Sequence, residues 1–148
     1  MAQVALKNPS ELSARLDLVT PEHLLLVDAP DSLQKLLALS RSAECQTRFV
    51  EGRAIGTVKQ TFDAILLWRE DRVGSRSLLE SLVKRVGPGG SLWVVTAMKK
   101  VTGPSTPAAH RLGLHDLSKA FVQKGFRHDR EVRVSAWHAA YRFVRRET

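Results

Sequence analysis

Two kinds of hydrophobic pattern take turns along the chain. Leu24-Leu25-Leu26-Val27, Phe62-Asp63-Ala64-Ile65-Leu66-Leu67-Trp68 and Ser91-Leu92-Trp93-Val94-Val95-Thr96 are short and almost unbroken apolar runs, as strands covered on both faces require. Between and after them, apolar residues recur every three or four positions. Leu33, Leu36 and Leu37 form one such set, Leu78, Leu79, Leu82, Val83 and Val86 a second, and Leu114, Leu117, Ala120 and Phe121 a third, each predicting a helix with one buried face. Asp31 or Ser32 is the expected N-cap of the first and Ser75 or Ser77 of the second. Ahead of them, Ser10 caps a short predicted helix carrying Glu11, Leu12, Arg15 and Leu16, within an N-terminal segment over 1–21 that packs on the sheet. That helix ends before Thr20-Pro21, because a residue preceding proline is driven away from the helical region.

The remaining segments are weaker. A brief strand is predicted at Thr47 to Val50, with loops over 52–61 and 99–109. Gly87-Pro88-Gly89-Gly90 predicts a helix stop and a tight turn. Residues 132–136 and 140–144 predict a closing antiparallel pair around Trp137-His138. Alternating strands and helices imply right-handed crossovers, so the expected fold is a single three-layer α/β domain over 1–148, its sheet mostly parallel with an antiparallel C-terminal strand pair. In such sheets ligands gather beyond the carboxyl ends of the strands, where the strand order reverses. That rule brings together Asp28 to Ser32, Glu51, Trp68 to Asp71 and Thr96 to Lys100.

The order Phe62-Asp63 before a buried strand, Val86-Gly87-Pro88-Gly89-Gly90-Ser91-Leu92 after a helix, and Lys124-Gly125-Phe126 after the last helix resembles the latter half of class I S-adenosylmethionine-dependent methyltransferases, over roughly two-thirds of the chain. The resemblance implies a Rossmann-type fold and an adenosyl cofactor. Ala29-Pro30, Pro88-Gly89-Gly90-Ser91-Leu92-Trp93, Lys99-Lys100, Trp137 and Arg142-Phe143-Val144-Arg145-Arg146 are also similar to a small bacterial family of unassigned activity, which bears on fold and leaves chemistry open. Carried over from the methyltransferases, the cofactor positions are Asp28, Ala29, Pro30 and Ser32 in the first turn, Glu51 at the ribose and Trp68 beside it. The family's glycine-rich first turn lets the cofactor approach the backbone. Here Pro30, Ser32 and Gln34 stand at its glycine positions, and Pro30 also removes an N–H donor.

Composition narrows the function further. No apolar stretch approaches the length of a membrane span and no basic segment leads into an apolar signal core, which points to the cytoplasm. Cys45 is the only cysteine, so disulfide and CxxC chemistry are excluded, and the five histidines form no metal-binding pattern. The net charge of +8 belongs to the second half: residues 75–148 carry fourteen Lys and Arg against five acids, residues 1–74 nine against ten. Arg69, Lys99 and Lys100 are the candidate anion-binding residues, with a solvated loop as the plain alternative for the lysine pair. Arg142, Arg145 and Arg146 would serve a nucleic-acid surface. No catalytic constellation stands out. With the turn glycines lost, the leading expectation is a non-catalytic binding or interaction module. The alternatives are a divergent methyltransferase using S-adenosylmethionine or a related nucleotide, and a nucleic-acid-binding protein using the basic second half.

Overall fold

The computed structural model describes residues 5–99, 101, 102, 104 and 106–146. Its order is α1 (Pro9–Arg15), β1 (His23–Val27), α2 (Asp31–Ser40), β2 (Gln46–Val50), a 3₁₀ turn (Gly52–Thr57), β3 (Phe62–Trp68), α3 (Ser75–Val83), β4 (Val86–Ala97), α4 (Leu114–Val122), β5 (Phe126–Arg133) and β6 (His138–Arg145). The six strands form one sheet in the order β2-β1-β3-β4-β6-β5. β1 to β4 are parallel, and β6 runs antiparallel to both β4 and β5. The expected α/β architecture is therefore present, with the order reversing between β1 and β3.

Alternation along each strand sorts the core onto two faces. Leu24, Leu26, Leu66, Trp93 and Val95 meet Leu12, Leu16, Leu33 and Leu37 of the α1 and α2 side. Leu25, Val27, Ile65, Leu67, Leu92 and Val94 meet Leu78, Leu79, Leu82, Leu117 and Phe121 of α3 and α4. Residues 24–27 of β1, 64–67 of β3 and 92–95 of β4 are apolar without a break because both faces of the sheet are covered there.

Several local expectations are corrected. The helix N-caps are Asn8, Pro30 and Gly74, and no side chain caps any of the three. Asn8 and Gly74 sit in the left-handed region and Pro30 is extended, so backbone conformation rather than a serine or aspartate starts each helix. Val86 is the first residue of β4 and not the end of α3. The Gly87–Gly90 segment is an irregularity within that strand: Phe62 pairs with Val86, but Ala64 already pairs with Ser91. Gly89 takes a φ of 71° there. A Cβ on Gly90 would come within 2.9 Å of the Gly87 carbonyl and 3.0 Å of the Asp63 carbonyl, so the chain folds back on itself only with glycine at that position. The expected loop over 52–61 contains a 3₁₀ turn, and the strand expected at 132–136 runs instead over Phe126–Arg133.

β5 is an edge strand held partly by charge. Arg142 of β6 donates to both carboxylate oxygens of Asp129, at 2.9 and 2.8 Å, while lying 5.7 Å from the centroid of the Trp93 ring. The bond from Arg142 holds the Asp129 carboxyl below its ordinary pKa. A depressed carboxylate pKa contributes stability above the unfolded value of about 3.9 and loses it as pH falls through the folded one. Asp129→Asn should therefore cost about 1 kcal/mol at neutral pH. In urea denaturation series, the gap between wild type and variant should close on acidification through pH 4 and below.

Candidate functional site

The reversal of strand order between β1 and β3 opens a cleft of about 530 Å³ at the carboxyl edge of the sheet, on the α3 face. Asp28 from the end of β1, Glu51 and Gly52 from the end of β2, Arg69 from the end of β3, and Ile55 and Leu78 line it, with Ser77 and Ser81 along α3. Asp28 has a φ of 56°, an uncommon conformation for a residue with a side chain. Its carboxylate accepts the Gly52 N–H at 3.0 Å and its own N–H reaches the Val50 carbonyl at 3.0 Å, so the ends of β1 and β2 are clasped together. Asp28 Oδ2 lies 2.8 Å from where a Cβ on Gly52 would stand, so a side chain there would push the Asp28 carboxylate aside.

Glu51 projects into the open part of the cleft, paired with Arg53; both are largely exposed, and such a pair opens readily to a ligand. Arg69 is tied at one side, donating through Nε to the Asp71 carbonyl at 2.9 Å and through Nη2 to the Val73 carbonyl at 2.7 Å. The lining thus combines two carboxylates, Asp28 and Glu51, two guanidinium groups, Arg53 and Arg69, and the apolar Ile55 and Leu78. The arrangement suits a ligand with an apolar ring and a hydroxylated sugar.

The other expected site residues are elsewhere. Ala29 and Pro30 are buried in the first turn and do not line the cleft. Gln34, at a position where methyltransferases carry glycine, donates its side-chain amide to the Ala29 carbonyl at 2.8 Å and fills the turn from within. Ser32 lies in the first turn of α2 with its hydroxyl buried and unpartnered. Trp68 packs with the opposite core cluster, its ring 4.7 Å from that of His138. Lys99 lies over Gly113, its Cε 2.6 Å from where a Cβ on that glycine would stand, and Lys100 is outside the described residues. Of the candidate nucleic-acid arginines, Arg142 is paired with Asp129, and Arg145 stacks 5.0 Å from the Phe126 ring centroid and donates to the Val86 carbonyl at 2.9 Å. Two of the three are therefore committed within the fold.

One constellation has no counterpart in the sequence reading. His138, 3% exposed, makes a 2.7 Å bond through Nε2 to Glu70 and a 2.7 Å bond through Nδ1 to the Ser135 hydroxyl. The Ser135 oxygen already accepts the backbone N–H groups of Trp137 and His138, so its own hydrogen is left to donate to Nδ1. Nε2 then carries the hydrogen that Glu70 accepts. The serine is 2% exposed and saturated, which removes it as a nucleophile. The network instead fastens the end of β3 to the start of β6. Among the described residues, no three His, Cys, Asp or Glu side chains gather in a way that could hold a metal ion. Likewise, no described helix is long and apolar enough to cross a membrane.

No family model matches the chain and no curated protein matches it by sequence, so the resemblance to a small bacterial family gains no support. Solved structures do match. A SAM-dependent methyltransferase from Aquifex aeolicus superposes with a TM-score of 0.73 at 12% identity, covering 93% of this chain and 89% of that one. The N-methyltransferase NodS from Bradyrhizobium japonicum superposes at 0.65 and 18% identity, covering 93% of both chains. Human N-acetylserotonin methyltransferase, solved with SAM, also gives 0.65 at 18% identity, with 95% of this chain covering 52% of that one. The chain has the Rossmann-like fold of class I methyltransferases.

Proposed function

We propose that the chain is a divergent S-adenosylmethionine-dependent methyltransferase that holds the nucleoside of its cofactor in the cleft between Asp28, Glu51 and Leu78. The observation that carries this reading is the cleft itself. It lies at the switch point, where the fold places its ligands, and sets the Glu51 carboxylate beside the apolar Ile55 and Leu78. Glu51 suits the ribose hydroxyls, Ile55 and Leu78 the adenine ring.

The fit is partial. The nucleoside half matches the cleft, but the amino-acid half meets a first turn closed by Pro30 and by the bond from Gln34 to Ala29. Ala29 and Pro30 are buried there, so neither offers exposed backbone to the amino-acid half. The same closed turn favours a second reading, an adenosyl-binding module that transfers nothing.

Titration calorimetry with S-adenosylhomocysteine separates these readings from their failure. Wild type should bind saturably, and Glu51→Ala should weaken binding at least tenfold, about 1.4 kcal/mol. Absence of binding at millimolar S-adenosylhomocysteine and S-adenosylmethionine would overturn both readings. Saturable binding without transfer of a labelled methyl group to any acceptor tried would leave the module.

A further inference from the structure

α3 and α4 pack side by side on one face of the sheet, and between them a second groove of about 400 Å³ opens to solvent. Three cationic side chains line it: Arg72 just before α3, Arg76 in its first turn, and Lys119 of α4. Asp116 is the only acid in the lining, and it is engaged, accepting the Gly113 N–H at 2.9 Å. Three positive charges against one negative leave the lining itself at +2, with Glu80 just outside it offsetting Arg76 while that pair is closed. Nothing in the fold calls for three cations here. Arg72 spends only Nε, on the Ala109 carbonyl at 3.1 Å, and Arg76 meets Glu80 one turn on at 3.4 Å in a pair exposed enough to be labile. α3 adds to the positive field: its N-cap Gly74 has no side chain to cap the helix, and of the first N–H groups that of Ser75 is met by the Arg72 carbonyl at 3.2 Å. Below the charges the groove is apolar, floored by Leu79 and flanked by Val73, whose side chain is unusually open to solvent for its type.

We propose that the α3–α4 groove binds a phosphomonoester carried on a compact apolar body. A phosphomonoester carries about −1.5 to −2 charges at neutral pH, which matches the net charge of the lining, and its oxygens suit the forked donors of Arg72 and Arg76. A single carboxylate would leave one cation unmatched. A nucleic-acid strand would need stacking surfaces, and no aromatic side chain lines the groove. The site is distinct from the adenosyl cleft: Gly74 lines the cleft, whereas Val73 and Ser75 line the groove, on the other side of the first turn of α3. The proposal does not depend on the cofactor reading.

The test is a titration of ¹⁵N-labelled protein at low salt with phenyl phosphate, benzoate and inorganic phosphate, followed by amide shifts. Phenyl phosphate should give saturable shifts centred on Ser75, Arg76, Lys119 and Ala120, and bind at least fivefold tighter than benzoate or inorganic phosphate. Arg72→Gln and Arg76→Gln should each weaken it at least fivefold while leaving the rest of the spectrum unchanged, since both side chains lie on the surface. Shifts that do not saturate, that centre outside the groove, or that persist unweakened in both variants would overturn the proposal. So would equal binding of benzoate or of inorganic phosphate.

Discussion

Arg41→Ala is expected to lower the stability of the chain by about 3 kcal/mol, roughly 9 °C in melting temperature for a domain of this size. Arg41 is 9% exposed at the C-terminal end of α2, and no carboxylate faces its guanidinium. It donates instead to the Leu18 carbonyl at 2.6 Å, the Pro21 carbonyl at 2.7 Å, the Gln46 carbonyl at 3.1 Å and the Thr47 hydroxyl at 2.7 Å. Burial lowers its pKa from the ordinary value, and the four acceptors offset that burial. One side chain thus joins the segment after α1, the approach to β1 and the start of β2. Truncation leaves the buried Leu18 carbonyl and the part-buried Pro21 and Gln46 carbonyls without this donor, each costing on the order of 1 kcal/mol. Lysine should recover little, because an ammonium cannot span acceptors spread as the guanidinium fork spreads its donors. Urea denaturation of wild type, Arg41→Ala and Arg41→Lys measures this directly. A loss under 1 kcal/mol in the alanine variant would mean that the loops rearrange to satisfy one another.

His138→Ala should cost a similar amount, about 2–4 kcal/mol, for a different reason. The substitution opens a cavity beneath Trp68, whose ring packs against the imidazole, and also strips Glu70 and Ser135 of their shared partner. Ser135→Ala should cost about 1–2 kcal/mol: the imidazole stays in place, but it loses its bond at Nδ1 and the Trp137 and His138 N–H groups lose their acceptor. The pair of variants divides packing from hydrogen bonding. Near-ultraviolet circular dichroism should change for His138→Ala because Trp68 loses its neighbour, and should stay close to wild type for Ser135→Ala. If both variants lose equal stability, the hydroxyl and not the ring is the anchor.

The centres of β1, β3 and β4 are legible because residues 24–27, 64–67 and 92–95 are buried on both sides and therefore unbroken in apolar residues, whereas the glycine-rich start of β4 is not. β5 was illegible for the opposite reason. Phe-Arg-His-Asp-Arg-Glu-Val-Arg is an edge strand with most side chains in solvent, and its strand character comes from pairing with β6 and from Arg142. The helix starts were misplaced because serine and aspartate advertise caps, whereas Asn8, Pro30 and Gly74 perform the role through backbone angles that no local polarity pattern reveals. At the site, Asp28 and Glu51 follow from the rule that ligands meet strand ends, and that rule also found Arg69. It could not separate the two faces of the sheet, so it placed Trp68 with them. Glu70, Ser135 and His138 were beyond reach, since Glu70 and His138 stand 68 residues apart and meet only once β6 has entered the sheet beside β4.

The closed first turn has a consequence for how such a chain could change over generations. Two independent fastenings hold it: the ring of Pro30 fixes the entry to α2, and the amide of Gln34 occupies the Ala29 carbonyl. Glycine at position 30 alone would leave the Gln34 bond in place, and a smaller residue at 34 alone would leave the proline. Neither single replacement removes both fastenings. Freeing the turn takes both changes together, whichever ligand the neighbouring cleft holds.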